Sequence, residues 1–439
     1  MKPIQIIFSC FLLLVVAGCS TNRTPEIRLD KAAVSLNTDI NRRSISNFVI
    51  QKDGTPVYAW VSNDLVEGDD LKFQSWGHMT VMASNGTVVQ VQDGFANALV
   101  DPESPPQLAT SPDGTLYLAW SASDDLESVW RSSGIRVSSS KDGGLTWSDP
   151  VTASGAFGGY QNNHELHVGA DGSVWVAWLD SRLATQNEGG INVFVARSDD
   201  GGLTYSNPAV VDEHPSCECC RVSIVTDSEG TAYVAWRKRL DGGIRDIVVA
   251  KSTDNGATWS EPNTIYEDNW VQGYCPDAGP SILLGGKGRM HIAWWTGIEG
   301  ASGVKTVYSD DGGRSFSAPN VLSTSEISRA SHVQLAFDGN ATLAVVWDDG
   351  SLETPRIAVS ASSNNGQSFS ATVYVSPDGM QAAYPHASFT SSSELSVVWN
   401  VRGDAEHQTS TEEVSGTAWM VVSDNLQGPR IIAQQISLD

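Results

Sequence analysis

The chain has 439 residues, with 27 Lys and Arg against 51 Asp and Glu, giving a formal charge of −24. That balance, with no basic patch to offset it, excludes a nucleic-acid phosphate binder. A hydrophobic content of 40% with 15 Trp excludes disorder, while 40 Gly and 18 Pro favour strands and turns over long helices.

Residues 1–18 run from Lys2 through an apolar stretch, Ile4 to Ala17, to Gly18. This is the order of a secretory signal peptide, and it is too short for a good membrane span. Val16-Ala17-Gly18-Cys19 resembles a bacterial lipobox. The resemblance implies cleavage before Cys19, lipidation of Cys19 and a polar tether over residues 19–41. Ser20 after the cysteine, rather than Asp, implies an anchor in the outer membrane of the bacterial envelope. Acyl chains hold through buried methylenes, so the folded part needs no membrane-binding surface of its own.

From about residue 42 to the end the chain repeats itself. A turn followed by an apolar strand closing on a tryptophan recurs at Trp60, Trp120, Trp178, Trp236, Trp294, Trp347 and Trp399, in steps of 60, 58, 58, 58, 53 and 52 residues. Length alone predicts about three domains at roughly 150 residues each. The repeats replace that with one domain of seven units over 42–439. In the fourth unit, strands are expected at 221–225, 231–236 and 246–251, with an outer segment ending at Ile265-Tyr266. Four short strands at this period predict an all-β propeller of four-stranded blades, with seven blades rather than six.

Between the third and fourth strands lies a turn of the form Ser-x-Asp-x-Gly-x-Thr-Trp. It occurs at Ser140 to Trp147, Ser198 to Tyr205, Ser252 to Trp259 and Ser309 to Phe316, with a degraded copy carrying Asn364 in place of Asp. These turns resemble the Asp boxes, or bacterial neuraminidase repeats, of sialidase-type propellers. Turn chemistry accounts for each residue in them: the carboxylate accepts backbone N–H groups and glycine permits a positive φ. The resemblance places the boxes opposite the active face.

On that map the functional face is built from the segments leading into first strands and those following second strands. The leading segments carry Arg42-Arg43, Asn162 to Glu165, Cys217 to Arg221, Tyr274 to Asp277, Arg329 with His332, and Tyr384 with His386. A sialidase-type reaction needs three arginines on the sugar carboxylate, a tyrosine nucleophile with a glutamate partner and an aspartic acid/base. The resemblance assigns these to Arg43, Arg221 and Arg329, to Tyr384 with Glu165, and to Asp64, with Asp69 and Asp70 as alternatives. The tyrosine makes this an exception to the two-carboxylate pattern of most glycosidases. Two departures stand against an unmodified sialidase site: the Arg-Ile-Pro signature of the first blade is absent, and seven units exceed the six blades of sialidases.

Once Cys10 leaves with the signal and Cys19 takes the lipid, four cysteines remain: Cys217, Cys219, Cys220 and Cys275. In an oxidising compartment they imply two disulfides. The alternative is thiolate binding of copper or zinc, with His164, His214 or His332 nearby. There is no Walker loop, dinucleotide fingerprint or nucleophile elbow, so no cofactor is expected. The expected partner is an anionic glycan, bound and hydrolysed at the envelope. The alternatives are a noncatalytic scaffold docking an envelope protein, and a metal-handling protein.

Overall fold

The computed structural model describes residues 25–29, 34–37, 46–62, 75–91, 98–124, 132–184, 190–273, 276–327, 329, 331–401 and 430–438. Apart from two short 3-10 turns the described elements are all strands. Each repeat folds as an antiparallel meander. The third is Gln161–Val168, Val174–Asp180, Asn192–Ser198 and Ala209–Val210, and the fourth is Ser223–Thr226, Ala232–Arg237, Ile247–Ser252 and Asn263–Thr264. The fourth lies within two residues of the expected strands. The fifth and sixth repeats form four-stranded sheets of the same kind, while the first and second join into nine strands through Ala98–Val100, which pairs with both.

The first strands Asn47–Ile50, Gln107–Thr110, Gln161–Val168, Ser223–Thr226, Ser281–Leu284, Val333–Phe337 and Ala382–Ser391 each touch the next, and the last touches the first. Hydrophobic clusters lie between successive sheets. One unites Trp175 and Val195 with Ile224 and Trp236, and another joins Phe48, Tyr58 and Trp60 to Val398 and Ile431. All seven repeat tryptophans are at most 2% exposed, so they are packing elements. Tryptophan suits this role because one ring fills the wide gap between two twisted sheets.

Part of the segment expected as tether belongs to the fold. Ile27–Arg28 and Val34–Asn37 both pair antiparallel with the C-terminal strand Arg430–Leu438. They satisfy the edge that this strand would otherwise leave open.

The Asp boxes fold alike. In the first, Asp142 accepts from Thr146 N at 2.9 Å, Thr146 Oγ1 at 2.6 Å and Ser140 Oγ at 2.8 Å, while Trp147 Nε1 donates to Gly144 O at 3.0 Å. The degraded copy keeps the geometry: Asn364 Oδ1 accepts from Ser368 N at 3.0 Å, and its amide donates to Ser368 Oγ at 2.8 Å. An amide can reproduce the carboxylate here because one box contact reverses its donor. Gly256 has φ 84°, and a Cβ there would lie 2.8 Å from the Trp175 ring, so the box glycine also sets the distance between neighbouring sheets.

Candidate functional site at the leading segments

The segments that lead into the first strands converge on a buried polar cluster. Asn163, Asp277 and Tyr384 hold φ of 54°, 50° and 54°. Asn163 and Tyr384 sit at register shifts in their strands, between Asn162 and Glu165 and between Ala383 and His386. Asparagine and aspartate adopt this region readily and tyrosine does not, so Tyr384 is held there by its surroundings at a cost of about 1–3 kcal/mol. Bulges of this kind re-aim a side chain.

His332 organises one half of the cluster. Its Nδ1 lies 2.7 Å from Asp348 Oδ2 and its Nε2 lies 3.0 Å from Glu103 Oε1. Despite burial, the Asp348 and Glu103 charges and their hydrogen bonds raise it to about 10, so it is an imidazolium at neutral pH. Asp348 is held below the usual carboxylate range against its own desolvation, chiefly by the His332 charge. It also accepts from Tyr384 N at 3.0 Å, and the Tyr384 ring lies over His332 with centroids 4.0 Å apart.

Arg221 organises the other half. It is 6% exposed, and among the described residues its guanidinium has no hydrogen-bond or ion-pair partner. Its charge reaches Asp101, His164, Glu165 and His386, groups carried by the second, third and seventh repeats and the segment before them. Desolvation pushes Asp101 up to about 6, Glu165 to about 7 and Asp277 to about 7, the last raised further by Glu103 and Asp101. Nε2 of His164 and of His386 are buried and have no partner among the described residues. Burial lowers these two rings to about 4 and about 3, so both are neutral. These orphaned polar atoms surround a guanidinium that has no partner among the described residues.

The other cations of this face are occupied. Arg182 donates from Nε and Nη2 to Asp180 at 2.9 and 2.6 Å, and Arg239 pairs with Glu218 at 2.9 Å. Arg237 donates to the carbonyls of Ala278, Arg245 and Trp295. Arg329 is exposed and its Nη1 reaches Leu352 O at 3.5 Å. Of the residues expected at the site, Arg221 and Glu165 share one electrostatic neighbourhood and Tyr384 stacks on His332. Arg43, Asp64, Asp69, Asp70, Cys19 and Cys275 lie outside the described residues.

Cys217, Cys219 and Cys220 lie together, with Cys217 Sγ 3.8 Å from Cys219 Sγ and 3.1 Å from Cys220 Sγ. No disulfide joins these three to one another. His214, expected near them, is exposed on Asp212, and His332 is held by its two carboxylates.

The sequence pattern did not reveal Asp101 and Glu103 as members of the cluster, while Asp348 stands in a segment that the map reads as following a second strand, where it expects the functional face. A positional signal finds one of the second repeat's acids. Asn163, Arg221, His332 and Tyr384 each stand 15 residues before the tryptophan of their repeat, and Arg43, Glu103 and Asp277 each stand 17 before theirs. A separate cavity of about 490 Å³ opens at the other end of the first strands, lined by Ile50, Thr110, Val168 and Phe389 among others. It shares none of the cluster's titratable groups.

A BNR repeat-like domain spans residues 57–275. The chain belongs to the sialidase-like BNR-repeat family. A sialidase of Paraclostridium sordellii is 28% identical over 175 residues, which are 36% of this chain and 43% of that protein. The match therefore spans less than half of the relative's length. Among solved structures, a protein of unknown function from Dyadobacter fermentans is 14% identical with a TM-score of 0.52, covering 94% of this chain and 99% of that one. An ulvan lyase from a new family of polysaccharide lyases is 13% identical with a TM-score of 0.52, covering 84% and 93%. At these identities the solved structures speak for the fold alone.

Proposed function

We propose that this protein is an envelope-anchored, seven-bladed propeller that holds an anionic glycan on Arg221 and hydrolyses its glycosidic bond. Arg221 carries the reading: a buried guanidinium without a partner among the described residues is costly unless a ligand anion completes it. The kinship with sialidases points to a sugar carboxylate as that anion. The ring of first-strand contacts and the Trp60 to Val398 cluster support seven blades closed by the N-terminal strands. The lipobox supports anchoring through Cys19.

In this reading the carboxylate of the sugar lies on Arg221, and Tyr384 attacks the anomeric carbon as the bond to the leaving oxygen breaks, passing its phenolic proton to Glu165, which returns it when the sugar is released. Asp277, protonated up to about pH 7, gives its proton to that oxygen and afterwards takes one from the water that releases the sugar. The imidazolium of His332 fixes the Tyr384 ring and faces the developing negative charge.

The test is hydrolysis of a fluorogenic sialoside together with calorimetric binding of sialic, uronic and sulfated oligosaccharides, each repeated with Arg221→Ala. Binding and turnover lost together in the variant are expected. Binding without turnover would reduce the protein to a glycan-binding propeller, and absence of binding to every anionic sugar would overturn the reading.

A further inference from the structure

Immediately before Arg221, Cys217-Glu218-Cys219-Cys220 folds into a tight loop that the glycan reading leaves unused. Its three sulfurs lie within 4.8 Å of one another. Cys217 and Cys220 are each 1% exposed, while Cys219 is partly exposed and gives the trio a way to solvent. Main-chain contacts fix the loop at both ends: Cys217 N donates to Arg237 O at 2.9 Å, and Cys219 O accepts from Asn163 Nδ2 at 3.0 Å.

We propose that Cys217, Cys219 and Cys220 form a three-thiolate site for a soft monovalent cation of the copper(I) type. Sulfurs bound at about 2.3 Å from one ion in trigonal or tetrahedral array stand about 3.8–4.0 Å apart. Cys217 and Cys219 are already at 3.8 Å, and Cys220 at 3.1 Å needs to retreat by less than an ångström. Softness narrows the metal, because thiolate ligands select soft ions such as copper(I).

Charge supports the same occupant. Three thiolates around one monovalent cation leave two net negative charges, and two guanidiniums face them. Arg245 Nη1 donates to Cys217 Sγ at 3.1 Å while also meeting Glu218 at 3.2 Å. Arg237 hydrogen-bonds to main-chain carbonyls, and its charge reaches Cys220. Because Arg221 follows Cys220 directly, the metal would also stiffen the segment that presents the guanidinium.

The test is titration of the full chain, purified reduced and without oxygen, with copper(I) supplied from a competing chelator such as bicinchoninate, and in parallel with zinc. The expected result is one copper(I) per chain, with ultraviolet thiolate-to-copper absorption and a higher melting temperature. Cys219→Ser should weaken copper binding by more than about 10-fold, the least loss that even an outer-shell change brings. That variant is the decisive one because Cys219 is the least buried of the three, and circular dichroism checks its fold. The proposal is overturned if the reduced protein takes no copper, if zinc binds and copper does not, or if Cys219→Ser binds copper unchanged. A disulfide mapped among the three thiols in protein taken directly from its host would overturn it as well.

Discussion

The same side chain, aspartate, does opposite work at the two ends of each repeat. In the box turns Asp200 and Asp254 sit in water, accept from a serine hydroxyl and from a threonine N–H and hydroxyl, and are held down at about 2 by those hydrogen bonds. At the leading segments Asp101 and Asp277 are half-buried with few donors beside other acids, and desolvation drives them up to about 6 and about 7. Hydrogen-bond donors decide the first case and loss of water decides the second. A box is therefore an architectural device stable in its charged form, while the leading segments raise their acids toward neutral pH beside an arginine that has no partner among the described residues.

The largest effect is expected where that face holds its own charge pair. Asp348→Ala leaves the His332 imidazolium with one partner fewer in a buried site, at an expected cost of about 3–5 kcal/mol in denaturant unfolding. Asp254→Ala should lower the melting temperature by less and leave glycan binding unchanged. If the two truncations cost the same, the contrast between the faces fails.

Next in size is Asp277→Asn, which removes the transferable proton. Sialoside turnover should drop by about 10²–10⁴-fold. In the unaltered protein, turnover should fall as pH rises through about 7, where Asp277 ionises, and the variant's residual rate should lack that limb.

Arg221→Ala should weaken anionic-glycan binding by about 2 kcal/mol, roughly 30-fold, measured by calorimetry. The unliganded variant should be no less stable than the parent, because it loses a buried charge that has no partner among the described residues. A destabilised Arg221→Ala would mean that the guanidinium serves the fold.

The smallest effects are in the pH dependence of stability, and they have opposite signs at the two faces. His332 binds its proton more tightly folded than unfolded. Its contribution is therefore complete below its unfolded value of 6.5 and is lost as pH rises through about 10. Asp254 has the depressed value, so its contribution is present above 3.8 and is lost as pH falls through about 2. Denaturation midpoints across both windows, with His332→Gln and Asp254→Asn each flattening only its own window, check the assignment.

Much of this architecture is legible in residue order. The seven tryptophans, the box turns and the strand alternation are local patterns, and each reports a contact that every repeat must make with its neighbour. The strands of the fourth repeat fall within two residues of expectation for that reason. Arg221, Glu165 and Tyr384 are also legible as polar residues in the segments that lead into first strands. Their roles are not, because an arginine beside a strand looks the same in sequence whether a carboxylate occupies it, as Asp180 does Arg182, or no described residue does, as at Arg221. Pairing across the axis joins residues such as Glu103 and His332 that are 229 positions apart (332 − 103), and no periodic pattern carries that distance. Residue order alone specifies the repeat, the turn chemistry and the apolar faces, since these depend on neighbours a few residues away. Which acids lose their water, which histidine keeps its proton and which arginine stands without a partner among the described residues are set by the packed sheets, because burial and long-range charge exist only once those sheets have come together.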